Sequence, residues 1–217
     1  PTLEEIASAA GVSRSTVSRV INDAPNVRKA VRQRVKRVVS EMGYYPNAAA
    51  RSLAGQRSQT LAVVIPETIN TVFFDPFFPN VLRGIAQVTN AHHYHMMLSM
   101  VDRPNEKDFY RRALRSQMLD GVIIVSALMD DPLVSYLLRD RIPFVLIGRH
   151  EYPRLSYVDA DNLGGPRMAT PHLLQSGRRR VATITGPLDM VPGLDRRAGY
   201  RTALLQAGYP VDEALLE

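Results

Sequence analysis

The sequence predicts an N-terminal all-α domain followed by an α/β domain with a doubly wound parallel sheet. Residues 1–60 contain three short helical patterns and no strand-like run. From residue 61, short apolar runs rich in β-branched residues alternate with helix-length amphipathic stretches. Strands that are apolar throughout are typical of parallel sheets covered on both faces, and such sheets bind ligands at the carboxyl ends of their strands.

The first domain is predicted to contain three helices around one apolar centre. The first helix follows a capping box made by Thr2 and Glu5, and its apolar stripe is Leu3, Ile6, Ala7 and Ala10. Gly11 and Val12 form a turn, and Ser13 is placed to cap the second helix. The third helix, from Arg28 to Met42, is expected to bury Val31, Val35, Val38, Val39 and Met42 and to expose Arg28, Lys29, Arg32, Lys36 and Arg37.

The α/β region is predicted to contain five strands and five helices in alternation. The strands are expected at 61–66, 94–101, 121–127, 143–148 and 180–187. The helices are expected near 79–92, 106–118, 132–140, 162–176 and 196–207.

The second helix carries two different faces. In "AGVSRSTVSRVIND", residues 10–23, a helix that begins at Ser13 buries Val17, Val20 and Ile21 and exposes the stripe Arg14, Ser15, Ser18, Arg19 and Asn22. These polar side chains can hydrogen-bond base edges or phosphates, and a second helix held across a first by a turn is the geometry that enters a DNA major groove. The alternative is a polar solvent face on an ordinary helical hairpin.

Charge is concentrated in the same part of the chain. Residues 1–60 hold 10 Lys or Arg and 4 Asp or Glu, a net charge of +6, whereas residues 61–217 hold 17 of each. A small basic segment joined to a neutral body suits contact with a polyanion, although a charge run is also compatible with a solvated face.

The stretch "YYPNAAARSLAGQRS", residues 44–58, predicts a short additional helix. Pro46 precedes an Asn47 cap, and Gly55 ends the helix. A helix this short is marginal alone, so we expect it to form when something orders it. Leu53, the one large apolar residue in the middle of this helix, has no core nearby in sequence to enter and could wedge between base pairs in a minor groove. The alternative is an interdomain linker whose leucine packs on the body.

Composition argues against several other classes of protein. The chain has no cysteine, which excludes disulfides and thiolate metal sites and suits a reducing cytosol. No run has the 18 apolar residues of a membrane span, and the start is acidic, so we expect a soluble cytoplasmic protein without membrane contact.

The residues associated with enzyme sites point to no catalytic centre. His92, His93 and His95 cannot easily face one point, so no metal is predicted. Asp159 and Asp161 do not resemble a glycosidase pair, and neither a phosphate loop nor a nucleophile elbow is present. No catalytic residue and no cofactor is therefore predicted.

Several motifs in one order resemble the lactose-repressor (LacI/GalR) family of bacterial transcription regulators. They begin with "TLEEIASAAGVSRSTVSRVIND", "GYYPNAAARSLAG" and "LAVVIP". The body continues with "DPFFPNVLRGI", "DGVIIVSA", "IPFVLIGRH", "VDADNLGG", "ATPHLLQSGRRRVATITGP" and "RRAGYRTAL". The resemblance implies a helix-turn-helix DNA-binding domain over 1–45 and a hinge helix and linker over 46–59. It also implies an effector-binding core of periplasmic-binding-protein type, with a first subdomain over 60–159 and the start of an incomplete second subdomain over 160–217.

On DNA, the resemblance implies a homodimer whose recognition helices occupy successive major grooves of a pseudo-palindromic operator. By position, Arg14 and Ser15 correspond to the main base readers, and further contacts or supports correspond to Thr2, Ser13, Thr16, Ser18, Arg19, Asn22 and Tyr44. Asn47, Ala50 and Leu53 fall on the hinge helix, with Leu53 as the minor-groove lever. Two departures stand out: Arg28 replaces a small capping hydroxyl, and Arg14 suggests guanine recognition.

In the core, the resemblance implies a small-molecule effector site, and aromatic rings with Arg and Asp side chains suit a sugar or a base. The matching positions are Phe77, Phe78, Arg149, Asp161 and Arg196. The alternatives are core packing for both phenylalanines and helix capping for Asp161 and Asn162 in "DADN". Gly148 stands where many relatives carry a carboxylate.

Together these features predict a sequence-specific transcriptional repressor controlled by a small molecule, with a sugar as the expected effector. In the expected mechanism, the ligand changes the placement of the two core subdomains and thereby the pairing of the hinge helices. Two other possibilities stay open at this point. One is a sugar-binding receptor without a regulatory role, and the other is a DNA-binding protein that no ligand regulates.

Overall fold

The structure is a computed structural model that describes residues 1–44, 58–67, 69–101, 105–114 and 119–217. The chain divides into two compact units: unit 1, Pro1–Ser58, and unit 2, Gln59–Glu217. The division falls inside the stretch expected to be the hinge and linker. Within the described ranges, no helix is both long enough and apolar enough to cross a membrane.

Unit 1 contains the three predicted helices, α1 Leu3–Ala10, α2 Arg14–Ile21 and α3 Lys29–Glu41. The Thr2 and Glu5 capping box opens α1, and the Ser13 side chain accepts a hydrogen bond from the Thr16 amide at the start of α2. The buried side chains of the three helices form one cluster: Ile6, Ala7, Ala10, Val17, Val20 and Val35. The capping and the apolar spacing read from the sequence are thus confirmed.

Two predictions for α3 were wrong. Arg32 was expected in solvent, but its side chain is only 21% exposed and donates hydrogen bonds to the Asp23 carboxylate and the Ala24 carbonyl. It faces the turn between α2 and α3 because that turn folds back toward the first half of α3. Met42 was expected in the core but is exposed, since it lies beyond the last residue of α3.

The sheet of unit 2 is entirely parallel, with strand order β2-β1-β3-β4-β5. Its strands are β1 Thr60–Ile65, β2 His95–Met100, β3 Gly121–Val125, β4 Phe144–Ile147 and β5 Tyr157–Val158. The first four confirm the predicted strands. The two-residue β5 was not predicted, because it is too short and too exposed to form an apolar run.

Helices cover both faces of the sheet, as the predicted doubly wound fold requires. These covering helices are α4 Ile69–Phe74, α5 Phe77–Ala91, α6 Glu106–Phe109 with a π-helical turn Tyr110–Leu114, and α7 Pro132–Arg139. Two further helices, α8 Gly164–Gln175 and α9 Val191–Gln206, follow in the chain and pack on each other. On one face Val64 packs with Leu133 of α7, and on the other Val63 packs with Phe78 of α5. The helix α4 was not predicted, and α9 begins five residues before its predicted start.

The predicted strand over 180–187 was wrong as a regular strand. Thr183 forms an isolated parallel bridge with Leu216: the Thr183 and Thr185 amides donate to the Leu215 and Glu217 carbonyls, and the Glu217 amide donates to the Thr183 carbonyl. This pairing covers only the residues around Thr183, because Leu215 on the neighbouring segment still belongs to a 3₁₀ turn, so no strand over the predicted range forms. This segment packs instead into a separate small core, in which Val181, Tyr200 and Leu204 are buried. Helices α8 and α9 approach closely, since a Cβ on Gly199 would lie 2.3 Å from the Leu163 carbonyl oxygen.

Arg28 occupies the N-cap of α3 and makes no capping hydrogen bond through its side chain, as expected from the departure at this position. A serine at this position would accept a hydrogen bond from an otherwise unpaired backbone amide of the first turn. The substitution would also remove the Arg28 positive charge from the positive end of the helix dipole. Arg28→Ser should therefore raise the free energy of unfolding of unit 1 by about 1 kcal/mol. Hydrogen exchange of the Val35 amide measures this change.

The matched control is Arg34→Ser, the same chemical change at an exposed position inside α3. It should lower stability slightly, because serine is a weaker helix former than arginine. Equal protection of the Val35 amide in the two variants would contradict the capping argument.

Candidate nucleic-acid interface and ligand site

Helix α2 presents the predicted polar stripe. Arg14, Ser15, Arg19 and Asn22 are exposed, whereas Val17 and Val20 on the opposite side are buried. Thr16 and Ser18 are half-buried at the edges of the stripe. The structure therefore brings the predicted reading residues of α2 together on one accessible face.

Hydroxyl groups cluster at the first turn of α2. The Ser13 Oγ lies 2.9 Å from both the Ser15 Oγ and the Thr16 Oγ1. One turn further along, the Asn22 side-chain amide lies 3.4 Å from the Ser18 Oγ and donates to it. Hydroxyls and free backbone amides at a helix N-terminus suit the oxygens of a phosphate.

Arg14 has an acidic neighbour that the sequence analysis did not assign. Its Nε lies 3.0 Å from the Glu4 Oε1 on α1, and both side chains are largely exposed. The ten-residue separation gave no local signal for this pair, because it depends on how α1 and α2 cross.

The remaining residues predicted to contact or support DNA have mixed positions. Thr2 is exposed, and its amide and hydroxyl both bond to Glu5 in the capping box. Tyr44 is half-buried against the apolar cluster of unit 1. Asn47, Ala50 and Leu53 lie outside the described residues.

In unit 2, Arg149 lies just after β4, at the carboxyl edge of the sheet. Its amide donates to the Asp159 Oδ2 at 3.2 Å, and its Nη2 donates to both carboxylate oxygens of Asp195 on α9, at 2.7 and 2.5 Å. Hydrogen bonding to Asp195 raises the pKa of Arg149 above its ordinary value, so the guanidinium stays charged.

Asn162 continues this set of bonds. Its Nδ2 donates to the Asp159 Oδ1 at 2.9 Å, and its Oδ1 accepts a bond from the Arg196 Nη1 at 2.7 Å. Arg196 also donates from Nε to the Thr185 carbonyl at 2.7 Å. The connected side chains, which we call the polar chain, are Arg149, Asp159, Asn162, Asp195 and Arg196. Of these five residues, only Arg149 and Arg196 were predicted as effector contacts.

Asp161 lies beside the polar chain but is engaged locally. Its Oδ1 accepts a hydrogen bond from the Gly164 amide at 2.7 Å, which caps the first turn of α8. A Cβ on Gly164 would lie 2.0 Å from the Asp161 Oδ2, so a larger residue there would displace the capping carboxylate. This geometry favours the capping alternative for Asp161.

The two predicted aromatic contacts differ in exposure. Phe78 is 4% exposed and belongs to the core beside Val63, which favours the packing alternative and keeps its ring from a ligand. Phe77 is 46% exposed, because it begins α5 one position away from the buried face. Phe73 and Phe74, which the sequence analysis did not assign, are more exposed still. The two pairs of phenylalanines in "VFFDPFF" were the sequence signal that could have indicated these exposed rings.

The chemistry of this edge suits a hydroxylated ligand. With Asp161 included, the site contains two arginines and three aspartates, which gives a net charge of 2 − 3 = −1. Paired guanidinium, carboxylate and amide groups can exchange hydrogen bonds with hydroxyls, and exposed rings can stack on sugar faces. In the described part of the chain, no group of His, Asp and Glu side chains is arranged to hold a metal ion.

Two family models match the chain. The model described as "Bacterial regulatory proteins, lacI family" matches residues 2–47. The model described as "Periplasmic binding proteins and sugar binding domain of LacI family" matches residues 58–217.

Similar proteins cover nearly the whole chain. The HTH-type transcriptional regulator CelR of Thermobifida fusca is 42% identical over 100% of this chain and 64% of its own length. The regulator MalR of Streptococcus pneumoniae is 34% identical over 94% of this chain and 62% of its own length. The chain thus spans less than two thirds of these curated relatives.

Solved structures give the same picture. A complex of the transcriptional regulator CelR with cellobiose is 40% identical, with a TM-score of 0.71, over 100% of this chain and 65% of that one. The Lac repressor dimer bound to operator and the anti-inducer ONPF is 26% identical, with a TM-score of 0.78, over 97% of this chain and 63% of that one.

Asn162→Ala should destabilise unit 2 by about 1–2 kcal/mol, because both the Arg196 guanidinium and the Asp159 carboxylate lose a partner. Urea unfolding followed by circular dichroism measures the loss. The control is Asn90→Ala, at an exposed position on α5. An Asn162 variant as stable as this control would show that the polar chain contributes nothing to the fold.

Proposed function

The chain belongs to the lacI family of bacterial regulatory proteins, and from this premise we propose that it is a transcriptional repressor. It binds operator DNA as a homodimer, and a sugar controls this binding. It has no enzymatic activity in this role. The observation that carries the proposal is the exposed stripe of α2, whose buried reverse side leaves Arg14, Ser15 and Arg19 free to meet DNA.

The dimer and the operator are supported by both charge and similarity. All of the net positive charge of the chain lies in residues 1–60, where phosphate contact requires it. The Lac repressor, a structural neighbour at 26% identity, is a dimer bound to operator. A receptor that only bound sugar would gain nothing from this basic domain.

The effector proposal depends on the polar chain. The related CelR was solved with cellobiose, a neutral disaccharide. Here the Arg149 guanidinium is already paired with the Asp195 carboxylate, and the site has a net charge of −1. An uncharged sugar is therefore favoured over a sugar phosphate, whose extra negative charge would meet three aspartates.

The polar chain also offers a route for regulation. Arg149 and Asp159 lie in the predicted first subdomain, 60–159, whereas Asn162, Asp195 and Arg196 lie in the predicted second one. Sugar hydroxyls that replace these bonds change the relative stability of the subdomain arrangements. The hinge helix, with Leu53 as its lever, then passes the change to the operator contact.

The proposal is tested by selecting bound duplexes from fragmented genomic DNA with the purified chain at near-physiological salt, followed by sequencing. A symmetric motif with two half-sites is expected. Uniform, salt-sensitive recovery without a motif would contradict operator recognition and would leave only non-specific binding to phosphates. Recovery of no DNA at all would favour a receptor that binds sugar alone.

Arg14 and Arg37 should behave differently on the selected duplex. Arg14→Ala should remove the preference at one base position per half-site, at a cost of about 1–3 kcal/mol on the preferred duplex. Arg37, exposed on α3, should contribute only charge, so Arg37→Ala should weaken binding to all duplexes alike and lower the salt slope by about 1. Both effects are measured by binding titrations over a salt series, with the selected duplex and with duplexes in which the guanine is replaced by another base. The same loss of selectivity in the two variants would show that α2 is not the reading helix.

A further inference from the structure

Arg14 stands at an unfavourable place in its helix. It is the first residue of α2, where the helix dipole presents its positive end. A positive charge at this end of a helix is destabilising. One carboxylate lies close to it, with the Glu4 Oε1 3.0 Å from the Arg14 Nε.

The stability of unit 1 does not explain the contact between Glu4 and Arg14. The two side chains of the ion pair are 68% and 63% exposed, and pairs this exposed contribute little to folding. The capping of α1 does not require Glu4 either, because Thr2 and Glu5 form the capping box. Glu4 also lies in the first turn of α1, where its negative charge favours the helix, but that role does not require a contact with Arg14.

The contact is made at one particular part of the guanidinium. The shortest contact of Glu4 is with Nε, and the Arg14 side chain is 68% exposed, so the terminal nitrogens Nη1 and Nη2 can reach acceptors outside the protein. These nitrogens form the end of the fork that can donate together to O6 and N7 of a guanine. Arg14 can therefore pair with guanine while its contact with Glu4 persists.

A phosphate group would interact less favourably with the Arg14 guanidinium than a guanine does. Its anionic oxygens would approach a guanidinium that already has a carboxylate beside it, and the two negative charges repel each other. The acceptors on a guanine edge are neutral, so they meet much less repulsion. The same carboxylate therefore penalises contact with the DNA backbone more than contact with the base.

We propose that Glu4 is a positioning residue for base selectivity: it orients the Arg14 guanidinium toward guanine and opposes its use on phosphates. This inference rests on the proposed operator binding. Glu4 lies on α1 and outside the polar stripe of α2, yet in this proposal it contributes to the base selectivity of α2.

The test compares the full chain with Glu4→Gln and with Glu41→Gln, a control that removes one exposed acidic charge from the far end of α3. Binding is titrated on the selected duplex, on the same duplex with guanine replaced by adenine at the Arg14 position, and on random duplex, each over a salt series. Glu4→Gln should bind random duplex several-fold more tightly, with a salt slope steeper by about 1, because Arg14 gains a phosphate contact. Its preference for guanine over adenine should fall by about tenfold per half-site.

Glu41→Gln should leave the guanine preference unchanged. In an Arg14→Ala background, Glu4→Gln should no longer alter base preference, since the residue it acts through is absent. A role in stability alone would not produce this dependence on Arg14.

The outcomes separate this inference from the function on which it rests. If the unmodified chain selects a motif but Glu4→Gln keeps its guanine preference, or changes binding no differently from Glu41→Gln, the role of Glu4 is overturned and operator recognition stands. If the unmodified chain selects no motif, both are overturned.

Discussion

Burial of one apolar face determines where the polar side chains of each unit lie. In unit 1, Val17 and Val20 are buried in one cluster with Ile6 of α1 and Val35 of α3, so α2 cannot rotate without exposing them. Its opposite side, which begins with Arg14, therefore faces outward. In unit 2, alternate residues of β1 enter the cores on the two faces of a parallel sheet, which sends the loops after the strands to one edge. The polar chain lies there for that reason.

The two surfaces differ in how firmly they are built. The stripe on α2 is supported by a buried apolar core, so the helix keeps its orientation while the exposed side chains can change rotamer. The polar chain is held by hydrogen bonds between partly exposed groups, and the carboxylate that holds Arg149 comes from a helix more than forty residues further along the chain. Bonds of this kind exchange with ligand hydroxyls at modest cost, which suits the sugar control proposed above.

Patterns carried by neighbouring residues could be predicted from the sequence, and contacts across the fold could not. The Thr2 and Glu5 capping box and the four apolar strands were predicted because each is specified within a few residues. Arg32 was misplaced because its partners Asp23 and Ala24 belong to a turn whose path the sequence does not reveal. Glu4 and Asn162 were missed for a similar reason, since Arg14 and Arg196 reach them only after the helices have packed.

The most direct test of sugar control measures the operator affinity of the full chain while a neutral glucose disaccharide is titrated. A separate titration uses the 6-phosphate of the same disaccharide. We expect the neutral sugar to change operator affinity, because its hydroxyls can replace the hydrogen bonds of the polar chain. The phosphorylated sugar should have little effect, because the site already has a net charge of −1. A response to the phosphorylated sugar alone would contradict the assigned site, and operator binding unaffected by either sugar would contradict its coupling to DNA.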